Sequence, residues 1–302
     1  MLFETENIRT VVLSDNLFIQ KKVAVDVLRL DEIHPIVSGN KLFKLHYFLE
    51  EADSSAQKTI LTFGGAWSNH LPATAYACQS AGLKSIGIVR GEEPATLSFS
   101  LQRCMQYGMR LKYVTREAYH SKDDAAFTQM LKAEFGECLV VPEGGYDPLG
   151  AEGAALIMDL VKEKLYTHVC VATGTATTLA GLLMAAEKEQ KIIGVNVLKG
   201  MKDIEDRVKY LSGGNVNMDQ LAIFNDHHFG GYAKHTPELI RFMNQCWQQF
   251  QLPLDFVYTA KMLYAVFDGI TKDRFPEGSK ICCLHTGGLA GNHSLTAGTL
   301  LY

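Results

Sequence analysis

Short apolar runs alternate with amphipathic stretches along most of the chain. Residues 59–63, 85–89, 110–114, 138–141, 168–172, 191–197 and 280–284 predict strands, because β-branched and aliphatic residues there are bounded by glycine or polar turn residues. In 41–52 the apolar residues fall at Leu42, Leu45, Phe48, Leu49 and Ala52, which is helical spacing. Further helices are predicted over 71–81, 97–107, 123–135, 151–165, 179–189, 204–211, 237–250 and 263–268. Gly82, Gly108 and Gly136 stand where three of them end. Residues 18–30 predict a strand or hairpin, Pro35 breaks the chain, and Asn40 is placed to cap the helix that follows. Residues 142–150 predict a loop, and 215–229 one strand and a loop. Strands alternating with helices are the signature of an α/β protein with parallel sheets. No repeat of sequence accompanies the alternation, so a solenoid is not expected.

Composition narrows the class. The chain has 302 residues, 47% hydrophobic and 21% charged, enough for one large domain or two smaller ones. Its formal net charge is −4, with basic and acidic residues intermixed, so no nucleic-acid footprint is expected. The first nine residues are polar and charged, without the apolar core of a secretory signal. No apolar run is long enough to predict a membrane span. The seven cysteines are odd in number and lack CxxC spacing, the pattern of reduced thiols in a cytoplasmic protein without a zinc site.

Candidate chemistry gathers at a few turns. Lys41 follows Gly39-Asn40 at the start of a predicted helix. A lysine held there can be partly desolvated, which lowers its pKa and frees the amine to attack a carbonyl. Residues 173–178, Thr-Gly-Thr-Ala-Thr-Thr, link a strand to a helix N-terminus. Backbone N–H groups, the helix dipole and threonine hydroxyls suit a phosphate there, although neither a P-loop nor a GxGxxG fingerprint is present. Residues 64–70, Gly-Gly-Ala-Trp-Ser-Asn-His, make a second such turn, suited to a carboxylate. Each turn is by itself also an ordinary βα connection with capping residues. Thr286 lies at the end of the last predicted strand, where α/β proteins bind ligands. Tyr258 is a further candidate hydroxyl. An imine-forming lysine, a phosphate cradle, a carboxylate cradle and a strand-end hydroxyl are the set that a pyridoxal-phosphate (PLP) enzyme acting on an amino acid needs.

The segments SGNKLFKL, TFGGAWSNH, VPEGGYDPLGAEG, VATGTATTLAG, LDFVYTAK and LHTGG occur in this order across nearly the whole chain. Together they make the sequence resemble the fold-type II PLP enzymes of the 1-aminocyclopropane-1-carboxylate (ACC) deaminase/D-cysteine desulfhydrase family. The resemblance implies two three-layer α/β domains with parallel sheets and PLP in the cleft between them. Residues 1–43 plus 141–302 would form the larger, PLP-binding domain, and 44–140 a smaller inserted one. It implies Lys41 as the Schiff-base lysine that also moves the α-proton. Asn69 matches the partner of the PLP 3′-oxygen, and Ser68, Asn69 and His70 the loop receiving the substrate carboxylate. Gly174, Thr175, Ala176, Thr177 and Thr178 match the phosphate loop, and Thr286 the hydroxyl facing the pyridine nitrogen. Tyr258 matches a tyrosine near the substrate that handles protons. Four residues depart from the desulfhydrase pattern: Trp67 for glutamine, Phe43 for arginine, Phe256 for proline and Ala260 for glycine. Trp67, beside the carboxylate loop, would reshape the substrate pocket.

The implied activity is α,β-elimination from a small D-amino acid such as D-cysteine, giving a 2-oxoacid and ammonia. ACC deamination and racemisation are the alternatives on the same cofactor, and a PLP-binding protein with little catalysis is the alternative of another class. The resemblance also implies a homodimer, and the cysteine pattern a cytoplasmic one.

Overall fold

The computed structural model describes residues 8–34, 39–54 and 58–302. Pro35, Ser38 and most of the polar N-terminal segment lie outside the described residues. The chain opens with β1 (Thr10–Leu13), α1 (Asn16–Gln20), β2 (Ala24–Leu28) and α2 (Lys41–Ser54). It continues through β3 (Thr59–Gly65), α3 (His70–Ser80), β4 (Lys84–Arg90), α4 (Phe99–Gln106), β5 (Arg110–Val114), α5 (Arg116–Tyr119), α6 (Ala125–Phe135) and β6 (Leu139–Val141). The remainder is α7 (Pro148–Ala155), β7 (His168–Thr173), α8 (Thr177–Met184), β8 (Lys191–Asn196), α9 (Ile204–Leu211), β9 (Leu221–Phe224), α10 (Pro237–Phe250), α11 (Thr259–Thr271) and β10 (Lys280–Leu284).

The strands form a six-stranded sheet, β1-β2-β10-β7-β8-β9, and a four-stranded sheet, β5-β4-β3-β6. Every pairing is parallel except β1 with β2. Both sheets are covered on two faces by helices, as parallel sheets require. On one face of the large sheet Val25, Val27, Cys170, Val195 and Cys283 pack with Met243, Leu263 and Val266 of α10 and α11. On the other, Leu28, Val169, Val171, Cys282 and Leu284 pack with Ala151, Leu179 and Val208 of α7, α8 and α9. The adjacent Cys282 and Cys283 point to opposite cores because side chains alternate along a strand. All seven cysteines are buried free thiols.

α2 belongs to both halves of the architecture. Its Leu42, Leu45, Phe48 and Leu49 join the core against the small sheet, while Phe43 joins the core of the large one. Two glycines make this possible. A Cβ on Gly153 of α7 would lie 2.2 Å from the Phe43 carbonyl oxygen of α2, and one on Gly181 of α8 would lie 2.3 Å from the Ala151 carbonyl oxygen of α7. α7 therefore sits backbone to backbone between its two neighbours, and α2 is held rigidly at its Lys41 end.

Several element boundaries differ from those expected. The strand expected from Phe18 begins only at Ala24; Asp15 accepts from Leu17 N–H at 2.8 Å and starts α1, which buries Phe18. The long helix expected over 151–165 begins earlier, at Pro148, because Asp147 caps it and proline suits its first turn. It then gives way to 3-10 turns, Leu156–Leu160 and Lys162–Lys164, that end at the left-handed Leu165. That expected loop, 142–150, is itself partly helical, with a 3-10 turn Glu143–Gly145. α8 stops at Met184 rather than near 189, and α11 runs beyond 263–268 at both ends.

Gly153→Ala is expected to lower stability by about 1–3 kcal/mol, the usual cost of overpacking a close contact. The check is the urea midpoint at unchanged slope; an unmoved midpoint would mean that α7 can shift without loss.

Candidate active site

The loops at the carboxyl ends of the strands converge on Lys41. Gly39 adopts φ +88°, and a Cβ there would lie 1.9 Å from the Thr286 carbonyl oxygen. Its N–H donates to the Leu30 carbonyl at 2.9 Å. The segment entering α2 is thus pressed onto the ends of β2 and β10. Asn40 was expected to cap α2 with its side chain. Instead its Nδ2 donates to Thr178 Oγ1 at 2.6 Å, and its Oδ1 accepts from Lys41 Nζ at 2.9 Å. Asn40 therefore couples the lysine to the expected phosphate loop, while its backbone carbonyl still accepts from Lys44 N–H.

Burial pushes the Lys41 ammonium down to about 8, and the Asp255 carboxylate partly restores it. Asp255 is fully buried. It accepts from the N–H groups of Val257, Tyr258 and Thr259 at 2.8–3.0 Å and from the Thr259 hydroxyl at 2.8 Å. Those bonds start α11 and fix Tyr258 at its entrance.

Lys44 was not singled out from the sequence. It is buried one helical turn from Lys41 and has no hydrogen-bonded or acidic partner among the described residues. Burial, then the neighbouring Lys41, lowers its pKa well below the ordinary lysine value. A Cβ on Gly145 would touch Lys44 Cε at 3.3 Å, and one on Gly144 would touch Thr175 Cγ2 at 3.2 Å. The Gly144-Gly145 turn thus brings Lys44 and the 174–178 loop together. In that loop Ala176 is left-handed, φ +68°, and Thr175 Oγ1 lies 2.9 Å from Thr177 Oγ1. The buried Thr173 hydroxyl just before it lies over Gly194 of β8 and has no partner among the described residues. A lysine amine without an acid, beside a helix N-terminus and threonine hydroxyls, suits a phosphate. The residues present fit PLP.

The β3–α3 turn carries Trp67, Ser68, Asn69 and His70. Ser68 Oγ accepts from the N–H groups of His70 and Leu71 at 3.1 and 3.4 Å, so the serine does cap α3. Its own proton stays available to donate. Asn69 makes no capping bond with its side chain. The His70 ring is a different matter. Thr62 Oγ1 donates to the Val141 carbonyl at 2.8 Å and lies 2.9 Å from His70 Nε2, so Nε2 carries the proton. Nδ1 is then a bare, buried acceptor without a partner among the described residues. Burial and the charges of Lys44 and Lys41 push the ring well below the ordinary histidine range, and it is neutral. A bare nitrogen does not attract a carboxylate, so Ser68 is the better side-chain donor of this loop.

Tyr258 faces Gly174; a Cβ there would lie 3.5 Å from Cε1 of the tyrosine ring. Burial and the phenol of Tyr232 hold its hydroxyl well above the ordinary tyrosine value, so it stays protonated. The two rings meet edge to face, 6.2 Å between centroids. Tyr232, half exposed, is a second site hydroxyl that no sequence pattern marked. Its loop is pinned by Lys261, which is fully buried and donates to the His228 and Gly231 carbonyls at 2.9 and 2.7 Å. Among the four departing residues, Phe43, Phe256 and Ala260 are buried core residues, whereas Trp67 is 44% exposed.

This is the architecture of a fold-type II PLP enzyme. The family of pyridoxal-phosphate dependent enzymes matches residues 10–287, and the chain belongs to it. It is 30% identical over 280 residues to a bifunctional D-cysteine desulfhydrase/ACC deaminase, mitochondrial, of Arabidopsis thaliana, covering 84% of this chain and 70% of that one. It is 27% identical over 286 residues to a D-cysteine desulfhydrase of Serratia proteamaculans, covering 86% of each. The crystal structure of an ACC deaminase homologue superposes with a TM-score of 0.83 at 26% identity, covering 97% of this chain and 92% of the other.

The low Lys41 pKa sets a pH dependence. Below about 8 folded and unfolded chains both carry the proton, and the full burial cost is present. As pH rises toward the ordinary value of 10.5, the folded chain has already shed its proton and the cost is relieved. Between pH 8 and 10 this stabilises the cofactor-free protein by about 2 kcal/mol. Lys41→Met is expected to lose that increment in urea unfolding; identical pH slopes in the two proteins would contradict the buried-amine reading.

Proposed function

We propose that the protein is a lyase of the D-cysteine desulfhydrase type, cleaving a small D-amino acid by α,β-elimination to a 2-oxoacid and ammonia. The observation that carries the reading is the division between two desolvated lysines: Lys41, partly buried, which loses its proton near pH 8, and Lys44, buried, which has no acid among the described residues and stands beside the 174–178 loop. A nucleophilic amine and an anion anchor within one helical turn suit an aldehyde cofactor that bears a phosphate. The names of the Arabidopsis and Serratia relatives support the substrate class.

When bound, PLP supplies an aldehyde for covalent attachment to Lys41 and a ring that accepts electron density from the substrate α-carbon. Lys44 and Gly174 to Thr178 would hold its phosphate, Asn69 its 3′-oxygen, and the Thr286 hydroxyl its pyridine nitrogen. A threonine adds no negative charge there. Ser68, its oxygen already committed to α3, donates its proton to the substrate carboxylate. Lys41 as a free amine takes the α-proton. Tyr258, a phenol kept protonated by its surroundings, is placed to donate to the departing β-substituent. We place the cleft between a domain of residues 1–43 plus 141–302 and one of 44–140, in a cytoplasmic homodimer. The two sheets support this division, since the small one uses only strands between Thr59 and Val141. Trp67, open at the carboxylate loop, is assigned to substrate selection.

A second reading, ACC ring opening, draws support from the bifunctional Arabidopsis relative. The reaction assay separates the two: pyruvate from D-cysteine against 2-oxobutyrate from ACC. The purified protein is expected to show a PLP imine band that changes on addition of D-cysteine while pyruvate accumulates. Lys41→Ala should lack both the band and the turnover. A band that never responds to an amino acid would leave a PLP-binding protein of another role, and turnover unchanged in Lys41→Ala would refute the mechanism. Tyr258→Phe should keep the band and lower turnover by about 100-fold, the worth of a positioned proton donor; unchanged turnover would remove the tyrosine from the reaction.

A further inference from the structure

The carboxyl ends of the small sheet carry a charge that the proposed reaction does not use. Arg90 is the last residue of β4 and is paired with Gly65, the last residue of β3. Gly65 has no side chain, and the Arg90 guanidinium lies over the space this leaves: a Cβ there would be 3.6 Å from Nη2. The Gly65 carbonyl accepts from Ser68 N–H at 2.9 Å, so Arg90 flanks the turn that carries Ser68. Its charge also reaches the two phenols of the site. Burial raises the Tyr232 hydroxyl above the ordinary tyrosine value, the bond with Tyr258 lowers it, and Glu143 and Arg90 then act on it in opposite senses.

Arg90 has no acid of its own. Its guanidinium carbon lies 5.8 Å from the centre of the Tyr119 ring, a cation–π contact. Among the described residues no carboxylate is within ion-pair distance of it; the nearby Glu143 lies 3.9 Å from Lys122 Nζ instead. Tyr119 is buried against Phe63, and its enclosed hydroxyl has no hydrogen-bond partner among the described residues. Burial, then the Glu143 carboxylate, holds that hydroxyl well above the ordinary tyrosine value, so it keeps its proton. Two donors without acceptors thus stand together, the Arg90 fork open to solvent and the Tyr119 phenol enclosed. An exposed arginine by itself is ordinary. One stacked on a buried ring beside the turn that suits a carboxylate is already ordered to receive an anion.

We propose that Arg90 determines specificity by receiving a carboxylate carried on the β-substituent of the substrate. The favoured substrates are β-substituted D-alanines with an acidic leaving group, for which S-carboxymethyl-D-cysteine is the probe. The proposal rests on the elimination reading given above and adds which amino acid is preferred. S-carboxymethyl-D-cysteine and water give pyruvate, ammonia and mercaptoacetate. Lys41 takes the α-proton, and the electron pair of the broken C–H bond forms the double bond between the α- and β-carbons. The pair of the carbon–sulfur bond leaves with sulfur, which the Tyr258 phenol protonates. Water then releases ammonia and pyruvate. The guanidinium holds the carboxylate throughout and exchanges no proton.

The test compares S-carboxymethyl-D-cysteine with its neutral isostere, S-carbamoylmethyl-D-cysteine, on the full-length PLP-loaded protein, with D-cysteine as the reference for the reaction itself. Pyruvate release gives kcat/KM for each. The charged compound is expected to be preferred by about 10-fold, chiefly through KM. That is the lower end for a bond to a charged group, because the guanidinium is exposed to water and salt. Arg90→Gln should erase the preference, and Arg90→Lys, which keeps the charge but not the fork, should retain part of it. The ratio is the readout, since a general loss of folding or activity lowers both compounds alike. No preference in the unsubstituted protein, or a preference that survives Arg90→Gln, would overturn the proposal. If none of the compounds yields pyruvate, the elimination reading fails, and calorimetric binding of the two thioethers reads the same ratio without turnover. A preference in binding that Arg90→Gln removes would uphold the carboxylate contact, and equal binding would refute it.

Discussion

Of two desolvated amines on α2 only Lys41 has a carboxylate acting on it, and that carboxylate is already occupied. Lys41 and Lys44 sit a turn apart on α2, each with its charged form disfavoured by burial. Asp255 is the acid that acts on Lys41, yet its oxygens accept four hydrogen bonds from the start of α11. Buried charge without a matched partner is costly. A fold that was free to relax would turn these side chains outward. Here it is not free, because α2 is wedged by backbone contact between the small-sheet core and α7, and Gly39 is pinned under β10. The cost is retained where a dianionic ligand would relieve it, and strain of this kind is characteristic of functional sites. The same constraint keeps His70 neutral, since its ring faces both lysines.

The βα architecture was legible because each strand of the sequence ends in a glycine or polar turn that no helix interior would tolerate. The edges of 204–211, 237–250 and 280–284 were legible for the same reason. Boundaries failed where a short capping residue outweighed the apolar pattern, as at Asp15 and Asp147, or where a helix tightened into 3-10 turns after Ala155. Neither event leaves a periodic mark.

The site was legible in its turns but not in its couplings. Lys44 had a usable signal: it is three residues from Lys41 on one predicted helix, so the two share a face. Tyr232 had none, because it lies in the irregular stretch before α10 and reaches Tyr258 only through the loop that Lys261 holds. Asn40 shows the limit of local rules. Its position is that of a helix cap, but its amide serves Thr178 and Lys41, residues 138 and one apart from it in sequence. Ser68 shows the reverse, since the capping bond expected of an ordinary turn is present and leaves the hydroxyl proton aimed by it.

Burial also sorts the departures from the desulfhydrase pattern. Phe43 is fully enclosed where α2 meets the large-sheet core, and Phe256 and Ala260 pack into the opposite core beside α11. A larger or smaller residue at those places alters packing behind the site rather than the space before it. Trp67 stands two residues beyond Gly65 at the end of β3, next to Ser68, and retains 44% of its surface. An indole there adds a broad apolar wall with one donor and no charge, where an amide would offer both a donor and an acceptor. Substrates whose side chain must be hydrogen-bonded at that wall lose a partner, and compact or apolar ones gain a surface. On the proposed reading, the chemistry at Lys41 and the range of amino acids that reach it would be set from different strands, β2 and β10 for the first and β3 for the second.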